Sequence, residues 1–283
     1  MKFHQKPVTF VSHVKIKVGN LERSVEFYEK MLGFSVLEKT SSEAKLTADG
    51  KTSCLTLIEP ENVIPKQAKT TGLYHFAILL PTAKDLANIV VHLARNGIPF
   101  GSSDHLVSEA IYLSDPDGNG IEIYRDRPPS GWHWQGGEVK MAVDPLDFET
   151  LLKHASPDNP WEKLPKETVI GHIHLHVAEL STAEKFYVEG LGMDVVNRFG
   201  TEALFFSYGK YHHHIGVNTW NGVGAPSPAP NSTGLESFTL LFADEKARQQ
   251  AVGNLRKIGA EVKEEENHFI TFDPSGNCIE LVV

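Results

Sequence analysis

The chain has 283 residues, of which 41% are hydrophobic and 22% charged, a composition typical of soluble globular proteins and not of disordered, coiled-coil or membrane-spanning ones. Its formal net charge of −9 repels nucleic acid and anionic membrane surfaces, so neither partner is expected. Two cysteines are too few for a disulfide framework or a zinc finger, and the N-terminal segment lacks the apolar core of a signal peptide. We therefore expect a cytoplasmic protein, whose 14 histidines direct attention to imidazole chemistry.

The two halves of the chain repeat one another. Residues 11–36 resemble residues 170–195, with an aromatic pair and a Leu-Gly pair in register. A second match relates residues 71–80 to residues 233–242. The turn sequence Asp-Pro-x-Gly-Asn also occurs once in each half, where it predicts a hairpin turn before a last strand. The halves are therefore duplicates.

Each half divides again into two modules with the same order of elements. A module begins with an alternating strand, continues through a helix with an apolar stripe, and ends with three short strands. Four βαβββ modules are predicted, numbered one to four, over residues 8–58, 72–124, 169–218 and 234–282. The expected fold class is α+β, with domains at 1–126 and 169–283 whose curved mixed sheets surround a cup.

Residues 127–168 connect the halves. They exceed an ordinary loop in length, so we expect them to wrap the body or help cover a site, with a short helix near 145–154. Three tryptophans are expected to anchor this connector, namely Trp132, Trp134 and Trp161. The Gly- and Pro-rich loop 221–232 is interpreted as a plain connector, with a lid as the alternative.

Histidines occupy one equivalent position in three of the four first strands. They are His13, His75 and His172, and module four has Ser237 there. On the last strands of modules two and four the equivalent residues are Glu122 and Glu280, each directed to one side of a half-buried strand. If that side faces a cup, two imidazoles and one carboxylate converge there. Such a set binds Fe(II) or Mn(II) and leaves positions open for substrate and O₂.

These motifs resemble the vicinal oxygen chelate superfamily, which includes glyoxalase I, the fosfomycin and bleomycin resistance proteins and the type I extradiol dioxygenases. The resemblance covers all four modules. Module two is similar in more detail to catechol 2,3-dioxygenase-like proteins, which have a metal-binding His, a catalytic His, and a Tyr that precedes a metal-binding Glu. The matching residues are His75, His105 (offset by one position), Tyr112 and Glu122.

In that family the second metal-binding His lies on the first strand of a partner module, whose last strand carries a further catalytic His. Module one offers His13 but no histidine on its last strand, whereas module three offers His172 and the triplet 212–214. Pairing of module two with module three across the halves is therefore predicted. Because side chains alternate on a strand, His213 is expected to face the cup, or His214 if the register differs by one. The triplet could instead be a polar strand end.

The resemblance implies a non-haem Fe(II) extradiol dioxygenase that cleaves a catechol-type aromatic diol with O₂. His75, His172 and Glu122 would hold the metal. Mn, Zn and Ni are the alternative metals, and His13 and His214 are the alternative ligands.

The resemblance also assigns three catalytic side chains. His213 would accept a proton, while His105 and Tyr112 would hydrogen-bond substrate oxygen and assist protonation. Tyr112 could otherwise be a buried strand aromatic. Module four has Ser237 and Ile270 in place of the His and the Tyr, so one metal site per chain is expected.

Two other functions stay open. A glyoxalase-I-like lyase or isomerase acting on a hemithioacetal would use His212 or His214 as a fourth ligand, with Zn or Ni. A non-catalytic protein would use the cup to bind a drug or small aromatic molecule. The oligomeric state also stays open, with a homodimer as one option, since exposed sheet edges on such modules commonly associate.

Overall fold

A computed structural model of the chain describes residues 3–156 and 161–283, so part of the connector lies outside the described residues. Module one consists of β1 (Phe10–Lys17), α1 (Leu21–Phe27), β2 (Ser35–Lys39), β3 (Glu43–Thr47) and β4 (Ser53–Ile58). Module two consists of β5 (Gly72–Leu79), α2 (Ala83–Arg95), β6 (Gly101–Asp104), β7 (Ser108–Ser114) and β8 (Gly120–Asp126). The connector contributes β9 (Trp134–Gln135), β10 (Glu138–Val139) and the short helix predicted for it, α3 (Phe148–Leu152).

The second half repeats this order. Module three consists of β11 (Val169–His176), α4 (Leu180–Lys185), β12 (Asp194–Phe199), β13 (Ala203–Ser207) and β14 (Ile215–Asn218). Module four consists of β15 (Gly234–Leu241), α5 (Glu245–Lys257), β16 (Val262–Glu264), β17 (Phe269–Phe272) and β18 (Cys278–Val282). None of the helices in the described ranges has the length and apolar character needed to cross a membrane.

The modules pair across the halves, as the sequence predicts. The first sheet has the strand order β16-β17-β18-β15-β1-β4-β3-β2 and joins module four to module one. The second sheet has the order β12-β13-β14-β11-β5-β8-β7-β6 and joins module three to module two. In both sheets the two modules meet along their first strands, which run antiparallel. Each eight-stranded sheet therefore depends on both halves of the chain.

Strand alternation separates the core from the face that carries the chemistry. Phe76 and Ile78 of β5 are buried in the main hydrophobic core, and the central strands β1 and β11 contact each other. His75 and Ala77 alternate with these residues along β5 and point to the opposite face. Burial of each large apolar side chain contributes about 1.5–3 kcal/mol to the free energy of folding. This contribution determines which face of the sheet points inward.

Two repeated motifs, the aromatic pair and the Asp-Pro-x-Gly-Asn turn, contact each other within each half. The buried Tyr28 hydroxyl donates a hydrogen bond to Asp115 Oδ2 at 3.1 Å, and Tyr187 donates to Asp273 in the same way. Asp115 also accepts from the backbone N–H of Asn119 and so closes the turn before β8. In each half, the first module therefore stabilises the turn that positions the last strand of the second module.

The connector is anchored as predicted. Trp132 is buried against Phe3 and Tyr211, and its indole N–H donates to the Val107 carbonyl at 3.2 Å. Trp161 is buried in the main core, while Trp134 is partly buried.

Candidate metal centre

Three buried side chains converge on adjacent strands of the second sheet. His75 on β5 and His172 on β11 place their Nε2 atoms 3.0 Å and 3.1 Å from the same oxygen, Oε2 of Glu122 on β8. One ligand atom from each residue lies within 4.8 Å of the other two. These are the two imidazoles and the carboxylate that the sequence singles out.

The strand register explains how side chains from three strands meet. Ala77 pairs with His172 on one side and with Glu122 on the other. Its methyl group leaves the space through which these two longer side chains reach each other. His75 lies two positions earlier on the same strand, and period-two alternation places it on the same face.

The protonation states suit a cation. Burial raises the pKa of Glu122, but the His172 and His75 imidazoles outweigh that effect and hold the pKa well below its ordinary value. Burial lowers the pKa of His172 to about 4, so its imidazole is neutral near pH 7 and has a free lone pair. The set therefore presents one carboxylate, Glu122, and a neutral imidazole, that of His172.

Among the described residues, two nitrogens of this group lack a hydrogen-bond partner, His75 Nε2 and His172 Nδ1. His75 Nε2 is fully buried and makes no hydrogen bond with any described residue, although it lies 3.0 Å from the Glu122 carboxylate. A buried polar atom without a partner is costly unless something else satisfies it. A metal ion between the two imidazoles and the carboxylate would do so, and the donor set fits a divalent transition metal.

A cavity of about 410 Å³ borders this group. His75 and Glu122 line it, and so do His105, Tyr112 and His213, the three residues predicted to be catalytic. The connector closes part of it with residues 141–143, which agrees with the expectation that this segment helps cover a site. Loop 221–232, interpreted above as a connector, does not line the cavity.

Tyr112 and His105 form a hydrogen-bonded pair at the cavity wall. Tyr112 lies on β7 directly opposite Glu122, and His105 follows β6. His105 Nδ1 donates to the Ala142 carbonyl at 2.6 Å, which leaves Nε2 to accept from the Tyr112 hydroxyl at 2.5 Å. Burial raises the pKa of Tyr112 well above its ordinary value, and the Glu122 charge adds to this effect.

The histidine triplet corrects one expectation. Residues 212–214 do not lie on a strand, because β14 begins only at Ile215, and the three side chains do not alternate. His212 and His213 contact each other, with their Nδ1 atoms 2.8 Å apart. His214 points elsewhere and hydrogen-bonds the Phe3 carbonyl through Nε2 at 3.2 Å. Of the three side chains, that of His213 lines the cavity.

His212 links His213 to an acidic group. His212 Nε2 donates to Asp126 Oδ1 at 2.9 Å, so its Nδ1 carries the lone pair and accepts from His213 Nδ1. The remaining nitrogen of His213, Nε2, is then the unprotonated one. The His213 ring centroid lies 4.1 Å from that of His172, which brings this base beside the candidate ligands.

His174 is a further residue of the site, which was not predicted from the sequence. It is buried, lines the cavity, and is the direct cross-strand partner of His75. Asn218 donates to its Nε2 at 3.0 Å. The signal was present in the run HIHLH, because alternation places His172, His174 and His176 on one face.

The two alternative ligands lie outside this group. His13 belongs to the first sheet, where its Nε2 hydrogen-bonds the Thr56 hydroxyl at 2.9 Å. His214 is held by Phe3, and its Nδ1 lies 3.2 Å from Ser207 Oγ. In the described ranges, no other residue joins His75, Glu122 and His172.

Comparison with known proteins places these features in a family. The family model of the glyoxalase/bleomycin resistance protein/dioxygenase superfamily matches residues 11–123 and 169–281. A catechol-2,3-dioxygenase of Bacillus subtilis (strain 168) is 45% identical over 97% of this chain and 98% of its own length. A biphenyl-2,3-diol 1,2-dioxygenase 3 of Rhodococcus globerulus is 29% identical over 53% of this chain and 85% of its own length.

A solved structure supports the fold. The putative dioxygenase from Bacillus subtilis subsp. subtilis str. 168 superposes with a TM-score of 0.64 at 13% identity, over 96% of this chain and 84% of that one. The family model spans both halves, and the resemblance of the four modules is confirmed. The chain therefore belongs to the glyoxalase/bleomycin resistance protein/dioxygenase superfamily.

Proposed function

We propose that this protein is a metal-dependent extradiol dioxygenase, which cleaves the ring of a catechol-type aromatic diol with O₂. The observation that carries the proposal is the convergence of His75, His172 and Glu122 beside a cavity that also presents a base and a hydroxyl. The 45% identity to a catechol-2,3-dioxygenase over nearly the whole chain supports the same reaction class.

We propose Fe(II) as the metal, held by His75, His172 and Glu122. Two neutral imidazoles and one carboxylate are the donor set of non-haem Fe(II) oxygenases, and the unpartnered Nε2 of His75 supports a cation there. Fe(II) supplies a centre at which a diol and O₂ can be brought together. The protein side chains then orient the diol and move its protons.

His213 is proposed as the base that takes a proton from one diol hydroxyl. The Asp126–His212 pair holds the His213 Nδ1 proton in place, so Nε2 is the accepting atom. Burial and the neighbouring imidazoles keep the pKa of His213 well below its ordinary value, so it starts the reaction neutral. Asp126 orients this base through His212 without touching substrate.

Tyr112 and His105 are proposed to hydrogen-bond the other diol hydroxyl and to transfer its proton. The Tyr112 oxygen can accept a hydrogen bond from the diol, while its own proton stays shared with His105 Nε2. As Tyr112 takes the proton of the diol hydroxyl it can pass its own proton to His105, and the reverse transfer can return a proton when the ring opens, which is general acid–base assistance. The Ala142 carbonyl fixes the His105 ring in the orientation that this exchange needs.

The glyoxalase-like alternative is not favoured. It would need a fourth ligand from His212 or His214, but His212 is bound to Asp126 and His214 to Phe3. The relative at 45% identity is named as a dioxygenase.

The test is to purify the protein anaerobically, measure its metal content, load it with Fe(II), and add catechol with and without O₂. We expect O₂ uptake equal to the diol consumed, and a ring-opened product identified by mass. Turnover of a glutathione hemithioacetal under anaerobic conditions, with no O₂-dependent loss of catechol, would contradict the proposal.

A further inference from the structure

The cavity beside the candidate metal centre is larger than a catechol ring needs. Its volume is about 410 Å³, whereas a cavity of roughly 150 Å³ accommodates benzene. The excess space lies within the same cavity, so a bound ring leaves room for a substituent. Cavities of roughly 300–1,000 Å³ hold ligands of several functional groups.

The outer part of the cavity is apolar. Val143, Phe199 and Trp220 line it and remain 66%, 47% and 42% exposed, which places them at its entrance. Met141 and Phe205 extend the same apolar wall inward. The three entrance residues come from the connector (Val143), the end of β12 (Phe199) and the segment after β14 (Trp220), three segments that are distant in sequence.

The cavity offers no cation to an anionic substituent. In the described parts of the chain, its lining contains no lysine or arginine, and its one carboxylate is Glu122. Lys66 borders a neighbouring cavity that shares His75 and Tyr112 with this one, and its ammonium group donates to the Leu73 and Gly118 carbonyls. A carboxylate moved from water into this cavity would lose hydration without gaining a cationic partner.

Resting on the proposed function above, we infer that the substrates are catechols with an uncharged apolar substituent, alkyl or aryl. The substituent lies against Val143, Phe199 and Trp220, while the diol faces His75 and Glu122. Catechols that carry a carboxylate are poor substrates. The selectivity thus comes from the cavity entrance and not from the side chains that perform the reaction.

Four diols test this inference with the Fe(II)-loaded protein: catechol, 4-isobutylcatechol, (3,4-dihydroxyphenyl)acetamide and (3,4-dihydroxyphenyl)acetate. The three substituents are close in size, so the amide and acetate differ mainly in charge. We expect kcat/KM to be highest for the isobutyl compound and at least about 10-fold lower for the acetate, the scale of apolar-pocket discrimination. Catechol itself should lie below the isobutyl compound, because it leaves the apolar wall uncovered.

Two variants locate the selectivity. Val143→Lys places a cation at the entrance and should raise the acetate-to-isobutyl ratio of kcat/KM by about 10-fold. Val223→Lys is the matched control, because Val223 is 80% exposed and outside the cavity lining. Phe199→Ala should lower kcat/KM for the isobutyl compound and leave that for catechol nearly unchanged.

The outcomes separate the inference from the proposed function. If catechol is cleaved but the acetate is as good a substrate as the isobutyl compound, the inference is overturned and the dioxygenase proposal stands. If no diol is cleaved, the dioxygenase proposal fails, and calorimetric binding of the same diols still tests the apolar preference. Equal Kd values for the isobutyl compound and the acetate would then overturn the inference as well.

Discussion

The two eight-stranded sheets are built from the same repeat, yet they treat the same positions differently. Strand register makes the first-sheet residues His13, Ser237 and Glu280 the counterparts of His172, His75 and Glu122 in the second sheet. In the first sheet, Ser237 donates to Glu280 at 2.7 Å and His13 bonds to Thr56. The carboxylate and the imidazole are therefore satisfied separately and need no cation.

Two further exchanges make the first sheet unsuitable for a metal. Thr239 occupies the position of Ala77, so the gap between His13 and Glu280 is filled. Lys15 occupies the position of His174, and its charge acts with burial to lower the pKa of His13 to about 4. A metal centre in this fold thus depends on a small residue between the ligands and on the absence of a nearby ammonium group, as well as on the ligands.

The largest effect is expected from removing the equivalent histidine in each sheet. His172→Ala should abolish metal retention and ring cleavage, because it removes a ligand and leaves Glu122 buried with one imidazole fewer. His13→Ala, the matched change in the first sheet, should keep most of both. Metal analysis and O₂ uptake measure the pair, and the reverse pattern would move the site into the N-terminal half.

The second largest effect is expected from replacing two proposed catalytic side chains that are absent from the first sheet. His213→Phe and Tyr112→Phe should leave metal and substrate binding largely intact and lower kcat by about 10²-fold or more, the scale of acid–base assistance. Ile270 is the first-sheet counterpart of Tyr112, opposite Glu280, so Ile270→Val is the control and should not change kcat. Loss of metal from both active-site variants would mean that these side chains are ligands or structural supports.

A smaller effect is expected from exchanging the residue between the ligands. Ala77→Thr gives the second sheet the side chain of the first and should weaken metal affinity by about 10–100-fold, the range seen when ligand orientation is disturbed. Thr239→Ala is the reciprocal control and should leave metal affinity unchanged. Metal titration against a competing chelator measures both. Unaltered affinity in Ala77→Thr would show that the gap does not govern the site.

The smallest effect is on stability. A Cβ on Gly171, the bulged residue before His172, would lie 1.8 Å from the Tyr124 hydroxyl. Gly171→Ala should therefore cost about 1–3 kcal/mol of unfolding free energy, as overpacking does. In the first sheet the bulged residue is Ser12 and Val282 replaces the tyrosine, so Ser12→Ala should stay within about 0.5 kcal/mol. Urea unfolding compares the two, and equal midpoints would contradict the packing argument.

The sequence by itself determined the features that repeat or alternate. The four modules, the turn motifs and the positions of His75, Glu122 and His172 follow from local periodicity and from comparing duplicated segments, while the cross-half pairing also required the family resemblance. Ladder pairing forces each strand side chain to one of two faces. A residue on a strand can therefore be assigned to the ligand face without knowledge of its neighbours.

Only the tertiary structure decided what surrounds those ligands. The triplet 212–214 precedes β14, so alternation did not predict that His212 would orient His213. The cavity wall joins Val143, Phe199 and Trp220, which no local pattern relates to one another. Ala77 is unremarkable in the sequence and becomes significant only when the register places it between two ligands. Such contacts depend on packing between distant segments, which periodicity along one segment does not encode.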